Sequence, residues 1–552
     1  RTGMFYIVSQ IGMLPGTIVY VNAGTQLAQI ETTAGILSPD LIFSFVLLGL
    51  FPWIAKTFTG FIKRRRIMSA YRKPKSADYN LVVIGAGSAG LVTAYIAATV
   101  KAKVALIEKH KMGGDCLNTG CVPSKSLIRS AKMLHYAKRA RDFGFKTAEV
   151  DYAFADVMDR VKRIIKKIEP HDSIERYTEL GVDCYTGAAR IVSPHEGVVD
   201  GKTLTPRSIV VATGARPFVP PIPGLDQVDY LTSDTVWDLT ELPARMVVLG
   251  GGPIGCELAQ TFSRLGSKVT QVEMAPRIMG REDPEVAELM RQRFESEGVT
   301  VLTDHKAKAV EIENGEKNLV CEHGGQDVRV EFDAILVAVG RKANAKGFGL
   351  EAIGVTLDPD GTIATDEYLR TRVPNIFCAG DVAGPYQFTH TAAHQAWFAA
   401  VNALFGRLKK FKVDYRVIPW TTFTDPEVAR VGLNEAQAKE KGIDHKVTRY
   451  ELKELDRAIA ESEEAGFVKV LTRGNTDKIL GVTIVGAHAG DIISEYVLAM
   501  KHGLGLNKIL GTIHVYPTLA EANKFAAGEW KKANAPEKVL GWMGRWFQWM
   551  RS

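Results

Sequence analysis

The chain has 552 residues, 46% of them apolar and 24% charged, and this composition excludes disordered, collagen-like and disulfide-stapled chains. Residues 1–76 hold nine basic and two acidic side chains, which accounts for the whole net charge of +7. A basic excess beside an apolar segment indicates membrane topology and excludes a nucleic-acid surface. Six cysteines are too few for a secreted disulfide framework, and the length predicts about three to five domains.

The first 66 residues contain two long apolar stretches. In residues 4–21, Pro15 and Gly16 interrupt the stretch, so a re-entrant or broken segment is expected rather than a straight span. Residues 41–62 include only one charge, Lys56, and approach the roughly 20 residues that a spanning helix needs. A run of four basic residues at 63–66 follows, which places the rest of the chain in the cytoplasm by the positive-inside rule.

Residues 12–28, GMLPGTIVYVNAGTQLA, resemble the C-terminal part of DedA-type (SNARE-associated) membrane domains. The resemblance implies a membrane segment over residues 1–66, joined to the remainder by a basic linker at 67–77. Because the chain starts at Arg1, more membrane domain is expected upstream, so the full-length protein would be multi-pass. A cleaved signal peptide fits less well, because the basic run follows the apolar stretches.

A dinucleotide-binding pattern begins at the short apolar run 81–84. The run enters Gly-x-Gly-x-x-Gly and a helical stretch, and a second apolar run ends at an acidic residue 23 positions after the first glycine. The glycines permit a tight turn and close approach of a pyrophosphate, while the acidic residue accepts from ribose hydroxyls. The residues predicted to hold this dinucleotide are Gly85, Gly87, Ser88, Ala89, Gly90 and Glu108.

The same pattern recurs at residues 246–273, so the chain is expected to bind two dinucleotides. The second set of predicted binding residues is Gly250, Gly252, Ile254, Gly255 and Glu273. The carboxylate of Glu273 would accept from a 2′-hydroxyl and repel a 2′-phosphate, which favours NADH. Arg277 lies four residues further on and could instead favour NADPH.

A Gly-rich segment, GGDCLNTGCVPSK, places Cys116 and Cys121 with four residues between them. Such a pair can close a disulfide across one helical turn, and a helix N-terminus would stabilise a thiolate there. Structural zinc needs two further ligands, and no second Cys/His pair lies nearby, so no metal site is predicted. The other cysteines, at 184, 256, 321 and 378, are interpreted as buried small apolar residues.

This segment resembles the redox-active disulfide of the pyridine nucleotide-disulfide oxidoreductases, the group of lipoamide dehydrogenase, glutathione reductase and mercuric reductase. Four later segments agree with that family in order: VATG at 211–214, VGR at 339–341, NIFCAGD at 375–381 and PWTTFTDPEVARVGL from 419. The resemblance implies FAD and NAD(P)H as cofactors, a homodimer and a small-molecule electron acceptor. It adds Thr213, Gly214, Gly340, Gly380 and Asp381 to the cofactor-binding residues.

The resemblance also implies the course of the electrons. NADH passes a hydride to FAD, and the flavin reduces the Cys116–Cys121 disulfide. Cys121 would be the charge-transfer thiolate nearest the flavin, and Cys116 the interchange thiol that attacks substrate. Lys125 and Glu257 match a family ion pair near the flavin N5, where Lys125 also contacts the cofactor.

The C-terminal acid–base motif departs from the family pattern. Lipoamide and glutathione reductases place a His before Pro-Thr, whereas this chain has Tyr516 there; Glu521 keeps its position five residues on. A phenol with a pKa near 10 is a poor base at neutral pH. His514, two positions earlier, could substitute or could be a packing histidine. Mercuric reductases also place a Tyr in this region, but the cysteine pair they have near the C-terminus is absent here.

The predicted fold is α/β, with two Rossmann-like domains for FAD and NAD(P), an α+β dimerisation domain and an α-helical membrane segment in front. The expected function is electron transfer from NAD(P)H through FAD and a disulfide to Hg(II) or a small disulfide. A dihydrolipoyl dehydrogenase-like or quinone-type reductase and a membrane transport module with a redox-sensing domain stay open. The predicted bounds after residue 77 are 78–230 and 346–412 (FAD), 231–345 (NAD(P)), 413–535 (dimerisation) and 536–552, a tail whose Trp542, Trp546 and Trp549 share a helical face.

Overall fold

The computed structural model describes residues 2–28 and 39–552. It begins with two helices that pack against each other, α1 (Thr2–Ala28) and α2 (Pro39–Ser69). α1 continues through Pro15, so the predicted broken segment is wrong; one proline removes a single backbone donor, and the remaining helical hydrogen bonds hold the turn. Between the helices, the side-chain amide of Asn22 donates to the hydroxyl of Ser44 over 2.8 Å.

Within residues 2–28 and 39–552, no helix combines the length and the apolarity needed to cross a bilayer. The predicted membrane-spanning helix is therefore not supported. Lys56 and the basic run at 63–66 fall within α2, and helix α2 extends seven residues beyond residue 62 to Ser69.

The first dinucleotide-binding unit is built on a parallel sheet of order β3-β2-β1-β7-β18. Its central strand, β1, is buried on both faces, because Leu81 and Val83 pack against helices on one side and Val82 and Ile84 pack against the strands at 190–204 on the other. The elements of its first part are β1 (Tyr79–Ile84), α3 (Ser88–Thr99), β2 (Val104–Glu108), α4 (Gly114–Asn118), α5 (Cys121–Lys138), α6 (Phe154–Ile168), α7 (Ile174–Glu179), β3 (Val182–Thr186), β4 (Arg190–Ser193), β5 (Glu196–Val199), β6 (Lys202–Leu204), β7 (Pro206–Val211) and β8 (Ala215–Pro217).

The second unit repeats this plan with a parallel sheet of order β12-β11-β10-β16-β9. Each unit also inserts a three-stranded antiparallel sheet: β4-β5-β6 lies between β3 and β7 in the first unit, and β13-β14-β15 lies between β12 and β16 in the second. The elements are β9 (Leu231–Thr232), β10 (Arg245–Leu249), α8 (Pro253–Arg264), β11 (Lys268–Val272), α9 (Pro284–Ser296), β12 (Thr300–Leu302), β13 (Lys306–Glu313), β14 (Glu316–His323), β15 (Gln326–Phe332), β16 (Ala334–Val337) and β17 (Arg341–Ala343).

The chain then returns to the first unit before it forms a third domain. Strand β18 (Ile376–Cys378) completes the first sheet at its edge, and α10 (Thr389–Phe405) packs against α3. The third domain is an antiparallel sheet of order β19-β20-β23-β22-β21 with helices against it. Its elements are β19 (Pro419–Thr422), β20 (Glu427–Gly432), α11 (Glu435–Glu440), β21 (His445–Glu451), α12 (Asp456–Ala460), β22 (Phe467–Arg473), β23 (Ile479–Gly486), α13 (Ala489–Ile492), α14 (Ser494–Lys501), α15 (Leu506–Leu510), α16 (Glu521–Ala533) and α17 (Glu537–Arg551).

Candidate active site

The first glycine turn lies between β1 and α3 and leaves no room for side chains at two of its positions. Gly85 has φ of +100°, and a Cβ on Gly90 would overlap the carbonyl oxygen of Gly85, so the helix can approach the strand this closely only without side chains. A Cβ on Gly87 would have one atom within 4 Å, Gly114 Cα at 3.8 Å, beside the N-terminus of α3, where Ser88 and Ala89 begin the helix. The space at this N-terminus, lined by backbone amides, fits a dinucleotide pyrophosphate.

The second turn, between β10 and α8, has the same construction. A Cβ on Gly255 would overlap the carbonyl oxygen of Gly250, and Gly250 has φ of +119°. A Cβ on Gly252 would meet nothing within 4 Å, and Ile254 follows in the first turn of α8. The two turns therefore present equivalent anion-binding helix N-termini.

A carboxylate fixes each turn from the end of the second strand. Glu108 accepts from the backbone amide of Ala86 over 2.7 Å and from that of His110 over 2.8 Å. Glu273 accepts in the same way from Gly251 over 2.5 Å and from Ala275 over 2.7 Å. Both carboxylates are thus held at the edge of the pocket where a ribose would lie.

The two cysteines lie where short α4 gives way to α5. Cys116 is in α4, and Cys121 is the first residue of α5, so its sulfur is at a helix N-terminus. Both are free thiols in this structure, and they share a hydrogen bond with each other. The sulfur of Cys121 also lies 3.4 Å from the hydroxyl of Thr389, at the start of α10.

The electrostatics make the two thiols unequal. The pKa of Cys121 falls to about 6 because Cys116 donates a hydrogen bond to its sulfur and because Thr389 and Lys125 favour the thiolate, while burial opposes them. The pKa of Cys116 is raised, because its proton is shared with Cys121 and because the thiol is buried. At neutral pH the reduced pair is therefore a thiolate at 121 beside a thiol at 116.

An ion pair joins the two dinucleotide units near the cysteines. Lys125 Nζ on α5 lies 2.8 Å from Glu257 Oε2 on α8. The other oxygen of Glu257 accepts from the backbone amide of Phe423 over 2.8 Å, and Lys125 Nζ is 4.4 Å from the centre of the Phe423 ring. Since Glu257 is only 7% exposed and both its oxygens are satisfied, the pair holds a positive charge in a fixed place next to Cys121.

Of the remaining predicted cofactor residues, Asp381 lies beside a second charged group, the guanidinium of Arg341. Arg341 pairs with Asp115, the neighbour of Cys116, and its Nε lies 3.6 Å from Asp381. Burial raises the pKa of Asp381 to about 6, although Arg341 opposes the shift. The preceding amide, of Gly380, donates to Gln395 Oε1 over 2.7 Å, which fixes this turn to α10.

Two strand-end turns also belong to the predicted cofactor site: the turn at 213–214 follows β7 of the first unit, and the turn at 340 follows β16 of the second. The hydroxyl of Thr213 donates to the carbonyl of Asn344 over 2.8 Å, and the side-chain amide of Asn344 donates to the carbonyl of Thr213 over 3.0 Å. Gly214 and Gly340 have positive φ, at +65° and +138°. FAD, when bound, would be held by these turns together with Glu108, Asp381 and Lys125, and it supplies the hydride and electron chemistry between nicotinamide and sulfur.

The predicted acid–base residues lie in the third domain. The hydroxyl of exposed Tyr516 donates to Asp456 over 3.0 Å, and this hydrogen bond raises its pKa. The ring of His514 binds Glu495, with Nε2 and Oε1 3.1 Å apart, and Glu521 accepts from the amide of Thr518. Within the described residues, no hydrogen bond joins these three side chains to the cysteines of their own chain.

Sequence reasoning did not select Thr389, Gln395 or Phe423. Thr389 and Gln395 lie on a helix without a phosphate-binding or cysteine motif, so no local signal marks them. Phe423 contributes through its backbone amide and ring face, which depend on where the third domain packs. Asp115, in contrast, was visible as a charge inside the cysteine motif, although its partner, 226 residues away, was not.

Residues 79–396 match the pyridine nucleotide-disulphide oxidoreductase family, and residues 418–527 match that family's dimerisation domain. The chain is a pyridine nucleotide-disulphide oxidoreductase. As such it is an FAD-dependent enzyme that uses NAD(P)H. The matched dimerisation domain supports a homodimer.

Named relatives of this oxidoreductase fall into more than one activity. It is 36% identical over 453 residues to a mercuric reductase of Staphylococcus aureus, which covers 82% of each chain. It is 35% identical over 449 residues to a dihydrolipoyl dehydrogenase of Chlamydia muridarum, covering 80% of this chain and 95% of that one. A Cu(II) complex of the HOCl-induced flavoprotein disulfide reductase RclA from Escherichia coli has 27% identity and a TM-score of 0.73 over 83% of this chain and 99% of that one.

Proposed function

We propose that this oxidoreductase passes electrons from NADH to a soft, thiol-bound metal ion such as Hg(II). The observation that carries the proposal is the state of Tyr516, which occupies the position of the acid–base His in disulfide reductases. Its hydroxyl donates a hydrogen bond to Asp456, and this raises its pKa. At neutral pH the side chain is therefore a protonated phenol, which cannot take up a proton. A metal held by two sulfurs needs no such base, because no thiol leaving group has to be protonated.

The thiol pair suits that substrate. Cys121 is ionised at neutral pH without a histidine, and a metal ion that binds it can displace the proton of Cys116. In the overall reaction one NADH and one Hg(II) give NAD⁺, one proton and Hg(0), so the two electrons of the hydride are both taken by the metal. The similarity to mercuric reductases and to a reductase crystallised with Cu(II) supports the same substrate class.

The choice of NADH over NADPH is part of the proposal. Glu273 is held by two backbone amides with its charge at the pocket edge, where it would accept from a 2′-hydroxyl and repel a 2′-phosphate. We therefore expect NADH to be oxidised faster than NADPH at equal concentration.

The test is turnover of the purified full chain with Hg(II) in excess thiol, beside lipoamide and glutathione disulfide. We expect NADH oxidation and Hg(0) release with Hg(II), both lost in Cys121→Ser and Cys116→Ser. Cys184→Ser is the matched control, because Cys184 is a half-buried free cysteine outside the site and its loss should change nothing. Turnover with the disulfides alone would contradict the metal proposal.

A second candidate, reduction of a small disulfide, is favoured by one contact. His514 is oriented by Glu495 as a catalytic imidazole would be, although at a position two residues before the usual one. If His514→Gln abolishes lipoamide turnover and leaves Hg(II) turnover intact, the imidazole serves as the acid–base for disulfides. If neither changes, His514 only stabilises the fold.

We also propose that residues 1–66 attach the enzyme to a membrane, with the reductase on the cytoplasmic side. What supports this is the polarity of α1 and α2: Asn22 and Ser44 bond to each other between the helices, while apolar side chains such as Ile18, Val21 and Phe43 are 60–66% exposed. The test is carbonate extraction of membranes from cells that express the full chain or residues 67–552. Equal release of both forms would contradict attachment through residues 1–66.

A further inference from the structure

The C-terminal helix α17 follows the third domain but does not pack on it. α16 ends that domain with Trp530 only 5% exposed, and the family's dimerisation domain is matched only as far as residue 527. In α17, by contrast, not one residue is buried. The three tryptophans therefore do not pack on the protein's own body, and the helix lies outside the part of the chain that the family accounts for.

The side chains of α17 are sorted into two halves. At 100° per residue, all its apolar side chains fall within half of the circumference and its charged, amide and glycine residues within the other half. The apolar half includes Leu540, Trp542, Trp546, Phe547, Trp549 and Met550, each 43–72% exposed. The polar half includes Lys538, Gly541, Gly544, Arg545, Gln548 and Arg551.

We propose that α17 lies in the surface of an anionic lipid bilayer, parallel to its plane. Three tryptophans and a phenylalanine on one face, with basic residues on the other, are the composition of a helix at the boundary of headgroups and acyl chains. The helix carries three basic residues and one acidic residue, Glu537, so its net positive charge complements anionic lipid. With 15 residues it is about 22 Å long, too short and too one-sided to cross a hydrocarbon core of about 30 Å.

A second copy of the chain is a poorer occupant for this face. A helix pair buries a narrow seam of Leu, Ile or Val, whereas here the apolar arc is half the circumference and is dominated by tryptophan. This inference does not depend on the electron acceptor or on α1 and α2.

The test measures tryptophan quenching in the full-length protein, because residues 1–66 could hold the chain on vesicles by themselves. The protein is mixed with phosphatidylcholine vesicles with or without phosphatidylglycerol, containing lipid brominated either near the headgroup or deep in the chain. The helix has three of the eight tryptophans in the chain, and residues 1–66 have one, Trp53, so the shallow quenching that the triple variant removes should approach three of eight tryptophans. We expect stronger quenching by the shallow than by the deep quencher, and more with phosphatidylglycerol.

Three variants locate the signal in the helix. The triple variant Trp542→Ala, Trp546→Ala, Trp549→Ala should lose the shallow quenching, whereas Gln548→Ala on the polar half should keep it. Reversing Arg545 and Arg551 to Glu should lower the fraction of emission lost to the shallow quencher on the anionic vesicles. NADH oxidation should be unchanged in all three, since none of these residues contacts the active site.

Two outcomes would overturn the proposal. Equal quenching of wild type and triple variant would show that α17 is not in lipid. A triple variant that loses mass as an oligomer in solution, without any difference in quenching, would assign the face to a second copy. In both cases the electron acceptor and the attachment through residues 1–66 would be unaffected, because they are measured separately.

Discussion

The two dinucleotide-binding units share a parallel sheet, a glycine turn and a carboxylate that accepts hydrogen bonds from that turn, Glu108 in the first unit and Glu273 in the second. They differ in what covers the turn. In both, a loop after the acidic residue donates a backbone hydrogen bond to the turn, from Gly113 to Ala86 and from Met279 to Gly251. In the first unit the loop then runs so close that a Cβ on Gly114 would lie 2.7 Å from Gly87 Cα. In the second unit, a Cβ on Gly252 or Gly280 would meet nothing within 4 Å.

This difference separates a retained cofactor from an exchanging one. The loop that covers the first turn leads directly into the helices that carry the cysteines, so a group bound at that turn is enclosed by the same segment that receives its electrons. The open turn leaves its ligand free to enter and leave, as a hydride donor must in each turnover. Identical phosphate-binding chemistry therefore serves two roles, and the loop that follows the acidic residue decides which.

The largest expected effect comes from adding one methyl group to the third glycine of each turn. Gly90→Ala would overlap the Gly85 carbonyl and push α3 off the sheet, so we expect the purified protein to contain no FAD. Gly255→Ala makes the same overlap in the open unit, so we expect full FAD content and a KM for NADH raised about tenfold or more. Flavin absorbance per chain and steady-state kinetics measure both.

Gly280→Ala is the control, since its added Cβ has free space. Should Gly90→Ala keep its flavin while Gly255→Ala loses it, the assignment of the two units would have to be exchanged.

The ion pair between the units should give the next largest effect. Glu257→Gln leaves Lys125 without its charge partner and weakens a buried, charge-assisted contact of about 1.5–3 kcal/mol, so hydride transfer should slow by about tenfold to a hundredfold. Anaerobic rapid mixing with NADH, together with the flavin midpoint potential, measures the change.

Asp327→Asn removes an exposed pair with Lys308 in the same domain and should leave both quantities as they were. An unchanged potential in Glu257→Gln would mean that the pair only joins the units mechanically.

The thiolate of Cys121 predicts that the rate of acceptor reduction depends on pH. The pKa of Cys121 is lowered to about 6, so the thiolate is present above that pH and lost below it. Reduction of the acceptor by the two-electron-reduced enzyme should therefore fall about tenfold for each pH unit below 6. Thr389→Val removes one hydrogen bond to the sulfur and should move the break to higher pH.

Thr391→Val is a matched control, because Thr391 is a buried threonine two residues further along α10. A break that stays at the same pH in Thr389→Val would show that Cys116 and Lys125 suffice to lower the pKa.

The sequence predicted both units because each of their signals is local: a buried strand, fixed glycine spacing and an acidic strand end. The cysteine pair was local for the same reason. Contacts between distant segments were not predictable, because Arg341 reaches Asp115, Thr389 reaches Cys121 and Phe423 reaches Glu257 only after three domains have packed. The expectation that Pro15 breaks the first apolar stretch was wrong. A single proline removes one backbone hydrogen bond from a helix, and tertiary contacts offset that loss.

The smallest expected effect distinguishes the carboxylates of Glu108 and Glu273. Glu273→Ser removes the charge that would repel a 2′-phosphate and the acceptor for a 2′-hydroxyl, so the ratio of kcat/KM for NADH over NADPH should fall about tenfold. Glu108→Ser makes the same change at the covered unit, where we expect weaker FAD retention but no change in that ratio. A ratio that moves in Glu108→Ser, or that stays in Glu273→Ser, would mean that another residue, with Arg277 the nearest candidate, selects the nicotinamide cofactor.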